Sequence, residues 1–532
     1  MHRKKKRRDS VVPINASAGN LFRRKEILIL LLCLFIGFAL RFYTFDQKSL
    51  WLDEIHTFND SRDGMKDQFK FYKENPAYLH PPLFFILTHQ FYPFTKPERD
   101  LRIIPLIFGT LSILMIYLLA KSFSAGIALP CTLTLTFMTY HISLSQEGRS
   151  YALLMFLGMA GLYFLMKHMQ TSRKGCLLPA AACFGILFHT SYSSIPFIAL
   201  SQALWLYRPS EDSKGPRVSS FLIFNSLLLL FCLPWIIFVV INYKGQRIMD
   251  PLHTENPGSF WAILYGIFHD WVPLAPLMIA SLAVLTLSPF FSKNKRNALI
   301  LLVVFIFPIG GLHLFCKLLN VTHFVTSRYF INFLPLFFIS IYLSLNSIEV
   351  RFVRLKRVLH LRILFIILFI ASNMVILPLY YRSEKQDLRG LVGYLKTQLR
   401  GGDKIFVETI GFVPGMLHYF GSYPETRQHP IPFWEVSGKI EHRKSFVHQG
   451  RTFTIYHSSI CCTQYITDGN RVWIVTSRWG ANDIKNHSPC ILKGYFDGSF
   501  LNFSRFPDDA SIYLFLWDPR SPGEKGIDMP NG

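Results

Sequence analysis

The stretch "IIPLIFGTLSILMIYLLA", residues 103 to 120, contains no charged residue and decides the class of fold. It is close to the ~20 residues that an α-helix needs to cross the hydrocarbon core of a membrane. Similar runs recur along the chain, which is 51% hydrophobic, 15% aromatic and only 17% charged. That composition is too apolar and too poor in charge for a soluble protein of 532 residues. We therefore predict an α-helical protein that crosses the membrane many times.

Apolar runs of this kind predict about eleven transmembrane helices. They lie near 26–43, 103–120, 124–141, 151–167, 175–189, 190–206, 219–241, 272–290, 298–317, 328–345 and 361–380. Clusters of Lys and Arg precede the first run and then follow every second one, from "RKKKRR" to "RFVRLKR". Cytoplasmic loops are enriched in these residues, so we predict a cytoplasmic N-terminus. This topology accounts for the net charge of +23, and we do not predict binding to nucleic acid.

The predicted orientation divides the chain into three parts. Residues 1–25 form a basic cytoplasmic tail, and residues 26–381 form a transmembrane domain whose first outer loop spans 44–102. Residues 382–532 lie outside the membrane on the periplasmic or extracellular side. Within the first outer loop, the apolar segment 81–94 is too short for a span. We predict a helix that lies in the outer membrane interface there.

The tail after residue 381 has the pattern of a small α/β domain. Leucines at helical spacing predict a helix over 388–399, and a strand follows in "GGDKIFVET". A further helix is predicted at 411–420. Apolar runs bounded by turn residues predict strands at 451–457, 471–477 and 511–518. We predict a lid or an acceptor-docking module rather than the catalytic centre, and one disulfide among Cys461, Cys462 and Cys490 is left open.

Polar residues gather at the predicted outer ends of the helices, where each is costly and implies a role. The stretch "SLWLDEIHTF" (49–58) places Asp53 and Glu54 just after the first span. Acids come early in the chain and arginines later, so converging helix ends would form a pocket with an acidic and a cationic wall. The remaining candidate residues are His80, Arg102, Glu147, Arg149, Tyr151, His189, Arg328 and Tyr329.

A pocket of this kind suits the attack of a hydroxyl on a sugar whose leaving group is a lipid phosphate. The carboxylate accepts the hydroxyl proton, and the arginines hold the phosphate by charge-assisted hydrogen bonds. Because phosphate is already a good leaving group, a second carboxylic acid is not required, unlike in glycoside hydrolases. The sequence contains no HExxH motif and no CxxC pair, so it gives no strong metal signal.

Several of these candidate residues also have a purely structural explanation. Asp53 and Glu54 could simply begin an interfacial helix, since acids are favoured in a first helical turn. Arg149 and Arg328 could anchor helix ends, although arginine on the outer side runs against the orientation bias. His189, at the end of a span, is typical of a packing residue.

Six motifs between residues 25 and 345 occur in a familiar order: "SLWLDE", "HPPLFFIL", "LRIIPLIFGTLSI", "SQEGRSYALL", "LPWI" and "RYFINFLP". Together they resemble the glycosyltransferase family 39 type of membrane enzyme. This group includes the protein O-mannosyltransferases and the bacterial aminoarabinose transferase of lipid A. The resemblance implies the multispanning GT-C fold, a polyprenyl-phosphate sugar donor and inversion at the anomeric carbon by single displacement.

The resemblance also implies roles for individual residues. Asp53 would be the catalytic acceptor of the proton, and its neighbour Glu54 would position either the acceptor or the loop. Arg149 and Arg328 match the basic positions expected near the donor phosphate, and Glu147 would orient Arg149.

The chain departs from the family pattern at two positions. His56 stands where a small residue is usual, next to the acids, and Gly148 replaces the usual alanine. Some related oligosaccharyltransferases hold a divalent metal with further acids of the same loop. Here Asp60, Asp63 and Asp67 follow, but not at a spacing typical of a metal site, so the resemblance leaves a divalent cation open.

We therefore predict an inverting glycosyltransferase of the inner (plasma) membrane that works on its outer face. Its partners would be the lipid bilayer, a polyprenyl-phosphate sugar and a hydroxyl acceptor whose class, lipid, glycan or protein, stays open. The alternative is a transporter or flippase of lipid-linked sugars. Transporters typically show internal repeats and interrupted helices near the midplane, and the sequence shows no repeat between its halves. A structural assembly partner is the third alternative, and the presence of both Asp53 and Arg328 argues mildly against it.

Overall fold

A computed structural model of the chain describes most of its residues. The described segments are 16–76, 79–208, 218–243, 260–318, 326–352, 360–409, 411–423, 442–457, 469–498, 511–521 and 526–528. The first part of the basic tail, residues 1–15, lies outside them, and so do Cys461 and Cys462.

The described part of the chain is mostly α-helical. In chain order its helices are α1 (Ala16–Phe42), α2 (Leu52–Asp60), α3 (Met65–Glu74), α4 (Leu83–His89), α5 (Pro97–Asp100), α6 (Ile103–Phe123), α7 (Ala125–Phe137), α8 (Thr139–Ser145), α9 (Tyr151–Thr171), α10 (Leu177–Thr190), α11 (Ile195–Ser201), α12 (Val218–Asn242), α13 (Phe260–Trp271), α14 (Ala275–Phe291), α15 (Lys295–Leu318), α16 (Leu334–Arg351), α17 (Leu361–Arg382), α18 (Leu388–Gln398), α19 (Phe412–Phe420) and α20 (Arg478–His487). Short 3₁₀ helices lie at Lys174–Cys176, Tyr192–Ser194, Gln202–Leu206 and Ser327–Phe333.

The apolar runs form helices close to where the sequence predicts them. Among the described residues, five helices are long and apolar enough to cross a membrane, or up to seven if each of two bent pairs counts as one span. The total of eleven spans therefore stays a prediction. One predicted span, 190–206, is wrong as a continuous helix, because the chain there forms two 3₁₀ helices flanking the short α11. The helix predicted within 81–94 is the seven-residue α4.

Two bent helix pairs shape the end of the bundle where the candidate residues lie. Helices α7 and α8 meet at 62°, and the end of α13 meets α14 at 106°. Arg41, which is fully buried, donates to the carbonyl of Leu135 at 2.9 Å and to that of Thr136 at 3.3 Å. The carbonyls at a helix C-terminus lack partners within the helix, so this guanidinium satisfies the end of α7 where α8 turns away.

Small residues allow the helices that carry the site to approach closely. A Cβ atom added to Gly109 of α6 would lie 2.1 Å from the Oγ atom of Ser145 in α8. One added to Gly158 of α9 would lie 2.9 Å from Oδ1 of Asn332, in the 3₁₀ helix Ser327–Phe333. Close backbone contact of this kind is typical of helix packing in membranes. It brings the end of α8 and the Ser327–Phe333 helix against α6 and α9.

The C-terminal part contains a mixed six-stranded sheet, which confirms the predicted small sheet domain. Its strands are β1 (Lys404–Val407), β2 (His442–His448), β3 (Arg451–His457), β4 (Val472–Thr476), β5 (Ile491–Phe496) and β6 (Ile512–Trp517). They lie in the order β2-β3-β1-β4-β6-β5, with β1 parallel to both β3 and β4. Helices α18 and α19 pack on one face and α20 on the other, which gives three layers. The sequence interpretation missed β2, β5 and α20.

Candidate active site

The two neighbouring acids lie in the first turn of α2, directly after the aromatic Trp51. Trp51 is the N-cap residue, and its backbone N–H donates to Oε2 of Glu54 at 3.4 Å. Carboxylates are favoured at this end of a helix because the backbone N–H groups and the helix dipole point toward them. The start of a helix therefore explains why two acids stand here. Their side chains point in different directions.

Glu54 points into the protein and forms a buried ion pair with Arg102. Both oxygens of Glu54 lie 2.7 Å from guanidinium nitrogens, and the side chains are only 1% and 3% exposed. Arg102 also donates to the carbonyls of Phe45, Lys48 and Ser49, the residues that precede α2. The pair fixes the loop that carries Asp53. The catalytic role of Glu54 and the substrate-binding role of Arg102 stay predictions.

Gly148 belongs to the same arrangement. Its backbone N–H donates to Oε1 of Glu54 at 2.6 Å, and a Cβ atom at this position would lie 3.2 Å from that oxygen and 3.0 Å from Cβ of Leu101. An alanine would have to push one of these neighbours away. The departure from the family pattern at Gly148 thus accompanies a close contact between the "SQEGRS" loop and α2.

Asp53 faces the opposite way, toward two arginines from distant parts of the chain. Its Oδ2 atom lies 3.1 Å from a terminal nitrogen of Arg328 and 4.0 Å from Nε of Arg149. Arg149 also donates to the backbone carbonyl of Asp53 and to Oγ1 of Thr57, both at 3.3 Å. The side chain of Asp53 is 22% exposed. The structure thus brings an acidic group and two cations together at one partly open position.

The arginines keep the carboxylate of Asp53 ionised. Burial by itself raises the pKa of Asp53, but Arg328 and Arg149 outweigh it, so the pKa is lowered below its ordinary value. Burial lowers the pKa of Arg149, but Asp53, Tyr151 and Glu147 together raise it by more, so this arginine stays charged. His56 lies one turn after Asp53 on α2, and burial lowers its pKa although Asp60 and Asp53 oppose that effect. Near neutral pH the group is therefore one carboxylate, two guanidinium ions and a neutral imidazole.

Aromatic rings surround the guanidinium of Arg328. Its Cζ atom lies 5.3 Å from the centre of the Trp51 ring, 5.8 Å from that of Tyr151 and 5.9 Å from that of Tyr329. A guanidinium over an aromatic face is attracted by the ring electrons, and the rings also limit its rotamers. Tyr151 and Tyr329, two of the predicted substrate-binding residues, thus adjoin the cationic wall.

A buried acid that the sequence interpretation missed holds the element that carries Arg328. Ser327 Oγ donates to Oδ2 of Asp270 at 2.5 Å, and both residues are buried. Asp270 lies near the end of α13, at the bend before α14. The signal was present in the sequence, because "WAILYGIFHDWVPLAPL" contains a single acid within an apolar run.

Glu147 pairs with a residue beyond the last predicted span. Its Oε2 atom lies 2.5 Å from Nζ of Lys385, which also lies 4.3 Å from the centre of the Trp51 ring. The carboxylate of Glu147 thus contacts Lys385, and the orientation of Arg149 by Glu147 stays a prediction. Lys385 was not among the predicted site residues.

The two predicted histidines differ in their surroundings. His189 Nε2 donates a hydrogen bond at 2.9 Å to the carbonyl of Phe231, and the ring packs beside Phe188, so His189 joins α10 to α12. The substrate-binding role of His189 stays a prediction. His80 is half-buried next to Leu79, which packs with Tyr72 and Trp235, and its role stays a prediction.

The described residues do not offer a site that fits a divalent cation. Within them, no group of three or more His, Cys, Asp and Glu side chains lies close enough together to hold a metal ion. We derive no step through a metal.

The fold is similar to that of solved membrane glycosyltransferases of the GT-C type. ArnT from Cupriavidus metallidurans in the apo state superposes with a TM-score of 0.52 at 13% sequence identity, covering 94% of this chain and 98% of that chain. ArnT from the same organism bound to undecaprenyl phosphate gives a TM-score of 0.50 at 12% identity, covering 92% of this chain and 97% of that one. The oligosaccharyltransferase of Archaeoglobus fulgidus, in complex with Zn and sulfate, gives 0.44 at 12% identity over 73% of this chain and 61% of that chain.

The helical bundle with its C-terminal sheet has the fold of the GT-C type, as predicted. Residues 79–241 match the family of dolichyl-phosphate-mannose-protein mannosyltransferases. The resemblance inferred from the six motifs is thus confirmed. A search of curated proteins gave no match to the sequence.

Proposed function

We propose that this protein transfers a sugar from a polyprenyl-phosphate donor to a hydroxyl acceptor on the outer face of the inner membrane. The observation that carries the proposal is the placement of Asp53, with its carboxylate 3.1 Å and 4.0 Å from two arginines at a partly exposed position. A base beside a phosphate-binding pair is the combination that this reaction needs. The ArnT structure that contains undecaprenyl phosphate supports a donor of the same chemistry.

Asp53 and the two arginines supply the base and the phosphate contacts of the reaction. Asp53 takes the proton of the acceptor hydroxyl as the oxygen forms its bond to the anomeric carbon. The bond from that carbon to the phosphate oxygen breaks on the opposite side, so the configuration inverts. The electron pair leaves with the polyprenyl phosphate, whose growing negative charge is stabilised by Arg149 and Arg328. No second acid takes part, because the leaving phosphate needs no proton.

Donor binding also prepares the base. In the structure the two arginines are paired with Asp53 and lower its pKa, which makes it a weak base. When a donor phosphate draws the arginines toward itself, Asp53 loses part of that stabilisation and its pKa rises. A base is most effective when its pKa lies nearer the working pH. Asp53 therefore becomes a stronger proton acceptor only when the donor is present.

Sugar transfer in membranes tests the proposal. Membranes from cells that make the protein would be supplied with a labelled polyprenyl-phosphate sugar pool, using several donor sugars. We expect labelled product with the wild type and its loss in Asp53→Asn. Asp67→Asn, an exposed acid of the same outer loop, is the matched control and should retain transfer.

Two results would contradict the proposal in different ways. Equal labelling by the wild type and Asp53→Asn would remove Asp53 from the chemistry. No labelling by the wild type with any donor sugar would favour transport of lipid-linked sugars instead.

A further inference from the structure

We infer that Lys385 is a third cation of the donor-phosphate site, supplied by the segment that joins the last membrane helix to the C-terminal sheet domain. The inference rests on the proposed function and adds a residue outside the six sequence motifs. It is carried by the contacts of Lys385 with Trp51 and Glu147 and by the way its segment is fixed beside Asp53.

Lys385 and Arg328 contact the same aromatic ring. Nζ of Lys385 lies 4.3 Å from the centre of the Trp51 ring, and Cζ of Arg328 lies 5.3 Å from it. The two cations are thus at most about 10 Å apart, so both act electrostatically on an anion that binds beside Trp51. Trp51 is the residue before α2, so both cations adjoin the turn that presents Asp53.

Cations gather in this region. Among the described residues, Arg328 and Arg149 lie at the carboxylate of Asp53, and Lys385 lies at that of Glu147. Lys385 retains 19% side-chain exposure, so an incoming anion can approach its ammonium. Burial raises the pKa of Asp53. Arg328 and Arg149 lower this pKa most, and Lys385 lowers it as well. The lysine therefore already acts electrostatically on the proposed base.

The residues on either side of Lys385 fix its segment against the loop of Asp53. The backbone N–H of Ser49 donates to Oε2 of Glu384 at 2.9 Å, and that of Leu52 donates to Oε1 of Gln386 at 3.0 Å. These two bonds hold the segment 384–386 alongside residues 49–52. Lys385 is thereby held next to the first turn of α2 rather than extending freely from the membrane surface.

The sheet domain reinforces the same contact. The backbone N–H of Leu50 donates to the hydroxyl of Tyr419 in α19 at 2.7 Å, and that hydroxyl donates to Glu98 at 3.0 Å. The backbone N–H of Arg389 in α18 donates to Oγ of Ser49 at 3.2 Å. The domain thus holds residues 49 and 50, beside which the segment of Lys385 lies, and helps to position the lysine.

Binding of a lipid phosphate and of its uncharged alcohol separates this role from a structural one. Native mass spectrometry of the purified full-length protein would compare undecaprenyl phosphate with undecaprenol for the wild type and Lys385→Met. We expect the affinity for the phosphate to fall about tenfold in Lys385→Met, the loss typical of one charge-assisted contact, with the affinity for the alcohol unchanged. Lys385→Arg should restore most of the affinity. Lys485→Met, at an exposed position on α20, should bind like the wild type.

The outcomes distinguish the two proposals. Equal phosphate affinity for the wild type and Lys385→Met would overturn the role of Lys385 and leave the proposed function standing. A loss of affinity for both probes would mean that Lys385 serves the fold, which also overturns the inference. A wild type that binds the phosphate no better than the alcohol would contradict the proposed function and this inference together.

Discussion

Replacing Arg102 with methionine should destabilise the protein strongly, because it leaves the carboxylate of Glu54 buried without its counter-ion. Two 2.7 Å contacts would be lost at side chains that are 3% and 1% exposed. Removing one partner of a buried ion pair costs about 3–5 kcal/mol. A chain of this size shifts its unfolding midpoint by roughly 1–2 °C per kcal/mol, below the range for smaller domains, so we expect a fall of about 3–10 °C.

The midpoint can be measured by heating the detergent-solubilised protein and quantifying the monodisperse fraction by gel filtration. Glu54→Gln should cost less, because Arg102 keeps its three backbone carbonyl acceptors. The double variant should be more stable than the sum of the two single losses predicts, since the residues interact directly. Lys121→Met is the control, because its pair with Glu26 is 42% and 26% exposed and should contribute less than about 1 kcal/mol.

The reasoning would be refuted if Arg102→Met lowered the midpoint no more than Lys121→Met. It would also be refuted if the losses in the double variant were simply additive, because the two side chains would then not stabilise each other.

Three further predictions concern charge. Burial lowers the pKa of Lys48 to about 7, so between about pH 7 and 10 the unfolded state binds more protons than the folded state. The free energy of unfolding therefore rises with pH in this range. Heating at pH 7 and pH 9 should show this rise, and Lys48→Met should lack it. Asp270→Asn should weaken the binding of undecaprenyl phosphate several-fold, because Ser327 loses its charged acceptor and Arg328 its fixed position; equal binding would exclude this role. Burial raises the pKa of Asp53 and Arg328 lowers it, so Arg328→Gln should move the acid limit of the residual kcat/KM, which reports the donor-free enzyme, to higher pH than in the wild type.

The helices were largely predictable from the sequence because their apolar length alone determines them. The bends were not, since they depend on contacts between distant residues. Helix α7 ends where the fully buried Arg41 meets its last carbonyls, almost a hundred residues away in the chain. Strand β2 was missed because its polar sequence, "HRKSFVH", is typical of an edge strand, which it is.

The candidate site, too, was predictable from the sequence only in part. Asp53, Arg149 and Arg328 could be proposed from sequence because charges at outer helix ends are costly and imply a role. The contrast between Asp53 and Glu54 could not, since successive residues of a helix point about 100° apart and only the packing decides which one faces inward. Lys385 was missed because its sequence position, after the last span, does not reveal that its segment runs beside residues 49–52.

The central claim is that Asp53 acts in transfer while the arginines bind the donor phosphate. The most direct test measures, on the same preparation of Asp53→Asn, both the affinity for undecaprenyl phosphate and the transfer of labelled sugar. Because Asp53 competes for the arginines, we expect binding as tight as in the wild type or tighter, with transfer abolished. Retained transfer, or loss of binding together with transfer, would contradict the account.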